Sequence, residues 1–227
     1  MLVRTCTVVR LLAVVASLLG GAATALEHDV QGWSVFVAQG RATPWLRWYG
    51  EVQPRLGERI TRLDRVIMRP AVGVQVTSYV SVWLGYAWTR QFGPQTLDEH
   101  RVFQQLLVEH AWGQLSLINR TRFEQRFIEA SGGVSLRLRH QVRVVWRFTP
   151  TSRWGLVAAE ELFVNLNAVV GAPAAGFDQN RALLGVNWKA QDPLQLELGY
   201  MNNFVNRPLL TEDRMNHIVR LAVTATL

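Results

Sequence analysis

The chain has 227 residues, 49% of them hydrophobic, and its 24 Lys+Arg against 17 Asp+Glu give a formal net charge of +7. This is the composition of a folded domain, not of a disordered chain. Lys189 is the only lysine, and the arginines recur at alternate positions among glutamates instead of clustering on one helix or loop, which argues against nucleic acid as a partner.

Residues 1–25 read as a secretory signal peptide. Arg4 and Arg10 form its basic end, Leu11 to Leu19 its apolar core, and Ala23, Thr24 and Ala25 an A-x-A cleavage site. The mature chain is then expected to be one domain over 26–227. The apolar core is too short to cross a bilayer as a helix, and no other stretch approaches the length needed. The single cysteine, Cys6, lies in the signal, so no disulfide or thiolate metal site is expected after cleavage. A thiol-free chain suits passage through an oxidising periplasm.

The rest reads as a succession of strands. Residues 28–39 are a first, weaker candidate with Trp33 and Phe36, ending in a turn at 40–44. Residues 45–55 alternate, with Arg47, Tyr49, Glu51, Gln53 and Arg55 on one face and Leu46, Trp48 and Val52 on the other. A polar loop is expected at 56–64. Residues 65–76 set Val66, Met68, Val72, Val74 and Val76 against Arg69 and Gln75. After a tight turn at 77–79, residues 80–91 direct Val82, Leu84, Tyr86 and Trp88 outward. A loop at 92–100 leads to a strand at 101–112 whose facing is ambiguous, because Gln104 and Gln105 are adjacent and both polar.

The longest alternation runs through 114–148. Arg120, Arg122, Glu124 and Arg126 oppose Leu117, Thr121, Phe123 and Phe127; beyond a turn at 130–133, Arg137, Arg139, Gln141, Arg143 and Arg147 oppose Leu136, Leu138, Val142, Val144, Trp146 and Phe148. Period two is a strand signal, and a helix would leave no apolar stripe here. Each run is about 14 residues, against about 5–6 for ordinary strands and about 9–11 for transmembrane ones. Permanent charge on one face and grease on the other predict lipid outside and water inside. The competing reading is a soluble sandwich with its arginines turned to solvent.

A turn at 149–153 follows. Residues 154–167 direct Leu156, Leu162, Val164 and Leu166 outward and Glu161, Asn165 and Asn167 inward. A long loop at 168–180 precedes a hairpin of 181–189 and 194–204, and a charged loop at 205–215 precedes the last strand, 216–227. That strand alternates Val219, Leu221, Val223, Ala225 and Leu227, as the final strand of an outer-membrane barrel does, although those usually close on Phe or Trp. Short connections at 77, 113, 149 and 191 alternate with mostly longer ones. Tyr79, Trp112, Trp146, Phe148, Trp154 and Trp188 sit beside the short turns, and Trp88, Phe92, Phe127, Tyr200 and Phe204 near the opposite strand ends, which predicts two membrane-interface girdles. These elements make eleven strands, whereas single-chain bacterial barrels have even numbers. The fold expected is therefore an all-β, antiparallel transmembrane β-barrel of about 10–12 strands: ten if 28–39 lies inside the lumen, twelve if one strand goes unrecognised.

The segments YGEVQPR (49–55), RPAVGVQV (69–76), LGYAW (84–88), RVFQQL (101–106), NRTRFEQRF (119–127), RLRHQVR (137–143), EELF (160–163), FDQNRALLG (177–185), LELGYMNNF (196–204) and NHIVRLAV (216–223) together resemble a bacterial outer-membrane family known as domain of unknown function 2490. The likeness spans nearly all of the mature chain. It implies a Gram-negative outer-membrane β-barrel and implies no reaction, ligand or partner.

The polar set expected inside the barrel is Arg47, Tyr49, Glu51, Arg55, Arg69, Arg120, Arg122, Glu124, Arg126, Arg137, Arg139, Arg143, Arg147, Glu161, Arg181, Lys189 and Glu197. It fits either a structural ion-pair network or a narrow, porin-like, anion-preferring passage. Glu51, Glu124, Glu161 and Glu197 could serve as acid and base, but among arginines they read as ionised partners. An enzyme acting on lipid or glycan is the alternative, and its best candidate is His100 with Glu99 and Asp98 on an outer loop. His140 falls on the presumed lipid face. No hydrolase motif, metal-ligand spacing or phosphate loop is present, so neither a cofactor nor catalysis is expected. The partners expected are outer-membrane lipid, lipopolysaccharide and, during insertion, the barrel-assembly machinery, with the protein a monomer.

Overall fold

The computed structural model describes residues 25–208 and 212–227; the signal peptide expected over 1–25 lies, apart from Ala25, outside them. Every regular element among the described residues is a strand: β1 (Ala25–Arg41), β2 (Leu46–Gly57), β3 (Arg62–Gln75), β4 (Val80–Gln91), β5 (Leu97–Trp112), β6 (Leu115–Ile128), β7 (Val134–Arg147), β8 (Trp154–Asn165), β9 (Gly176–Gln191), β10 (Leu194–Val205) and β11 (Glu212–Thr226). They close into one barrel in which each strand pairs with its sequence neighbours and β1 meets β11. Alternation fixes the register, because a slip of one residue would turn every arginine outward. The register in turn sets opposite charges side by side, Glu51 facing Arg69 and Glu124 facing Arg137.

Eleven strands correct both sequence expectations, ten and twelve. Residues 28–39 are not in the lumen; they belong to a wall strand bonded to β2 on one side and β11 on the other. Up-and-down alternation cannot close on an odd number, so one adjacent pair has to run parallel. That pair is β1 and β11, with Trp33 opposite Arg220 and Val37 opposite Thr224. A parallel ladder is only slightly weaker per residue than an antiparallel one, and it leaves no open edge.

Most of the strands are also longer than the sequence predicts, and the long loops shorter. The expected loops at 56–64, 92–100 and 168–180 shrink to 58–61, 92–96 and 166–175, and β11 begins at Glu212, inside the loop expected at 205–215. Backbone pairing does not stop where side-chain alternation becomes polar. Asp98, Glu99 and His100, for example, pair with Arg90, Thr89 and Trp88. The 58–61 link is tight enough to hold Glu58, Arg59 and Ile60 at φ of 48°, 56° and 68°, a left-handed conformation that a β-branched residue such as isoleucine rarely adopts. The connections at 42–45, 76–79, 113–114, 148–153 and 192–193 gather at one end of the barrel, and those at 58–61, 92–96, 129–133, 166–175 and 206–211 at the other.

The wall is apolar outside and charged inside. Val72, Leu84, Leu184, Leu198 and Val219 are each more than half exposed on the outer face, while Arg122, Glu124, Arg137 and Glu161 are buried. Besides Tyr49, four aromatic rings, Trp33, Trp83, Phe103 and Phe163, also point inward. Two of them lie over a glycine on the neighbouring strand, Trp83 over Gly73 and Phe103 over Gly85; a Cβ at either glycine would run into the ring.

Candidate functional site

The interior of the barrel is the site, and alternation alone delivers its side chains there. Except for Asn167, the polar residues expected inside line the inner face, among them the set in which one carboxylate serves several guanidiniums. Glu124, 1% exposed, accepts from Arg137 Nη2 at 2.6 Å and from Arg139 Nη1 at 2.8 Å. Glu161 takes Arg139 at 2.7 Å and Arg120 at 2.8 Å and has Arg181 at 3.7 Å. Glu51 binds Arg69 at 2.5 Å and also accepts from the Tyr49 hydroxyl. Arg143 and Arg220 both donate to Glu197, and Arg47 reaches Glu109 at 3.1 Å. Arg55 and Arg122 donate to amides instead, to Gln53 at 2.9 Å and to Gln105 at 2.6 Å. Arg147 and Lys189 line the mouth at the short-turn end, where Arg147 is 3.4 Å from Asn187.

The guanidiniums also stack on the interior rings. Arg55 lies 3.5 Å from the centroid of Trp33, Arg122 4.1 Å from Phe103, and Arg139 and Arg181 4.5 and 4.3 Å from Phe163. A planar, weakly hydrated cation loses less in leaving water than an ammonium and gains from the π face. Arginine, not lysine, therefore fills this lumen.

Sequence reasoning missed several members of the network: Arg101, Glu99, Glu109, Asp178 and Arg220, and the four rings. Arg101 and Glu99 pair at 2.7 Å, and Arg126 shares the same carboxylate at 2.5 Å. The facing of β5 is settled by its odd-numbered residues: Arg101, Phe103 and Gln105 line the lumen, and Gln104 points outward to bond Gln125. Parity counted from Arg101 was the available signal.

The expected loop cluster of His100, Glu99 and Asp98 is corrected. The three are consecutive in β5, so their faces alternate. Glu99 turns inward to its arginines, Asp98 turns outward to Arg90, and His100 turns outward to the Tyr86 hydroxyl. Asn167 does not point inward either: it lies beyond β8 and caps β7, accepting from Leu136 N at 2.7 Å and donating to Val134 O at 2.9 Å. His140 bonds the Thr121 hydroxyl on the outer face, and His217 joins His28 and Tyr200 there. Among the described residues no group of three His, Cys, Asp or Glu is placed to hold a metal ion.

Of the girdle aromatics, those beside the short turns contact one another: Trp146 packs on Phe148, and Trp154 stacks on Trp188 at 5.3 Å. Trp112 packs on His110. Toward the other end Phe177 stacks on Phe204, Trp88 lies under Arg90, and Tyr200 bonds His217.

The bore is unequal along its length. Toward the short-turn end, cavities of about 380, 270 and 210 Å³ share lining residues, Arg143 among them. The opposite half holds a cavity of about 60 Å³, bounded by Arg65, Arg101, Arg126, Arg137 and Pro173. Pro173 belongs to the 166–175 loop, which Asn165 Nδ2 ties down through Ala174 O at 2.9 Å.

These features define a class, a closed β-barrel with an arginine-lined interior. The chain belongs to the family described as Protein of unknown function (DUF2490), which matches residues 30–215, as the resemblance of its strand motifs implied. It is 35% identical over 182 residues to an uncharacterized protein of Methylorubrum extorquens, the match covering 77% of this chain and 78% of that one. No solved structure matches it.

Proposed function

We propose that this protein is an integral β-barrel of the bacterial outer membrane, exported by its signal peptide, whose interior is a structural ion-pair scaffold that occludes the bore. The observation that carries this reading is the inversion of the wall. A continuous exterior of Val, Leu, Trp and Tyr surrounds an interior of buried arginine and glutamate. On a soluble monomer an apolar surface of that extent would be far above the usual few hundred Å², whereas a closed barrel in lipid satisfies every backbone group without an edge. Polar side chains on the outer face mostly satisfy one another, Gln104 with Gln125 and Thr121 with His140. Glu160, beside Leu162 on that face, has no such partner among the described residues. The taper from about 380 to about 60 Å³ favours a plugged lumen over an anion passage. Its partners are outer-membrane lipid, lipopolysaccharide and the assembly machinery, and its role is not catalytic.

Cell fractionation and planar-bilayer recording test both halves of the reading. The protein should enter the outer-membrane fraction, migrate faster unheated than boiled on SDS gels, and give no steady conductance. Recovery in the aqueous fraction after lysis would overturn the membrane placement. Steady, anion-selective steps would overturn the occlusion and establish the passage.

A further inference from the structure

The narrow half of the lumen is a cage of cations short of counterions. Arg55, Arg65, Arg69, Arg126, Arg137 and Arg181 are among the residues around its cavity of about 60 Å³, and no carboxylate lines it. Three of the carboxylates behind this lining are shared: Glu99 between Arg101 and Arg126, Glu124 between Arg137 and Arg139, Glu161 among Arg120, Arg139 and Arg181. Glu51 pairs with Arg69, Asp178 lies 3.4 Å from Arg137 and Asp64 3.9 Å from Arg65, which leaves fewer carboxylates than lining arginines. Among the described residues Arg55 has no carboxylate in ion-pair range; it donates to Gln53 and lies on Trp33. Four of the lining arginines also carry a buried N–H with no hydrogen-bond partner: Arg55 Nε, Arg65 Nε, Arg69 Nε and Arg126 Nη1. Buried charged donors are the costliest polar groups to leave unmet, so four of them on arginines around one small cavity make it a place for an acceptor.

We propose that this cage binds a small inorganic oxyanion of the phosphate or sulfate type. Guanidinium forks match tetrahedral oxyanions through paired N–H···O bonds, a match that a spherical halide cannot make. A water needs roughly 10–15 Å³ of such space, so about 60 Å³ takes an ion of a few heavy atoms and refuses a sugar phosphate or nucleotide. The way in is from the roomier half: Arg55, Arg69, Arg139 and Arg181 line both the cage and the adjoining 270 Å³ cavity, which makes them the threshold between the two. The proposal requires the closed barrel only, and neither its location nor its conductance.

Isothermal titration of inorganic phosphate into the full chain, folded in neutral detergent at low ionic strength, tests it. Faster migration of the unheated sample first certifies the fold. Saturable one-to-one binding is expected, with a melting temperature that rises with phosphate. Arg55→Gln should weaken binding at least tenfold. Arg126→Lys, which keeps the charge but loses the fork, should weaken it too and covers the case in which the first variant does not fold. Arg90→Gln, on the outer face, should bind as the parent does. The proposal falls if the folded parent gives no phosphate heat, if chloride at equal ionic strength stabilises as much as phosphate, or if both cage variants bind unchanged.

Discussion

Glu124 shows most directly how the lumen depends on single residues. Its carboxylate is 1% exposed and holds Arg137 and Arg139 on one side, with Arg122 3.8 Å away on the other. Whether such a cluster stabilises a protein relative to a greasy core is a separate matter, since desolvation offsets most of the Coulomb gain. Removing one partner is unambiguous, because it strands the others as buried charges. Glu124→Gln, which keeps the volume and removes the charge, should therefore lower unfolding stability by about 3–5 kcal/mol, read by denaturant titration in detergent. Glu58→Gln, in an exposed pair with Arg62, should change it by less than about 1 kcal/mol. A loss at Glu124 no larger than at Glu58 would mean that water or a relaxed geometry neutralises the cluster. Glu124 was legible from its alternation with Arg120, Arg122 and Arg126. Glu99 was not, because a glutamate between Asp98 and His100 looks like loop chemistry until its backbone is known to pair with Thr89.

Within the strands, interior volume is apportioned between neighbours. Trp83 and Phe103 are too large to share a narrow bore with large residues opposite, and the residues opposite are Gly73 and Gly85. Each ring covers the glycine's bare backbone, the cross-strand rescue that makes a glycine tolerable inside a sheet. Phe103 in turn supports Arg122 at 4.1 Å. Gly85→Ala should therefore displace Phe103, loosen Arg122 and destabilise the barrel by about 1–3 kcal/mol, the usual cost of overpacking. Gly113→Ala, where a Cβ meets nothing but φ is +54°, reports backbone strain alone. If Phe103→Leu in the Gly85→Ala background recovers no stability, the ring is not what the added methyl strikes. The strands themselves were legible wherever charge and grease alternate over ten residues or so, as in β6 and β7. The four apolar or indole rings inside were not, because a period-two reading built on arginine and glutamate gives no reason to turn Trp33, Trp83, Phe103 or Phe163 inward. The strand ends were not either: pairing at Arg62 to Arg65 and at Leu97 to His100 is set by the partner strand, which no local pattern encodes.

For the molecule as a whole, the decisive feature is how the sheet meets itself. The sequence holds eleven alternating segments, and an even-number rule would discard or add one. The structure keeps all eleven by turning a single seam parallel. The seam is long, from Ala25 opposite Glu212 to Gln39 opposite Thr226, and it carries functional weight, because Trp33 on β1 reaches under Arg55 and Arg181. A ten-stranded barrel with β1 elsewhere would lose that support. The seam can be tested covalently. Ala38 and Ala225 are direct partners across it, both small and both on the outer face, and the lone cysteine, Cys6, lies in the segment that export is expected to remove. Paired strands keep Cα atoms within the roughly 4.4–6.8 Å that a disulfide spans. Ala38→Cys combined with Ala225→Cys should form an intramolecular disulfide under mild oxidation of the folded protein, seen as a mobility shift that a reductant abolishes. Ala38→Cys combined with Val219→Cys, six residues out of register, should not. Equal cross-linking of the two pairs, or none in either, would place β1 outside the wall and return the strand count to ten.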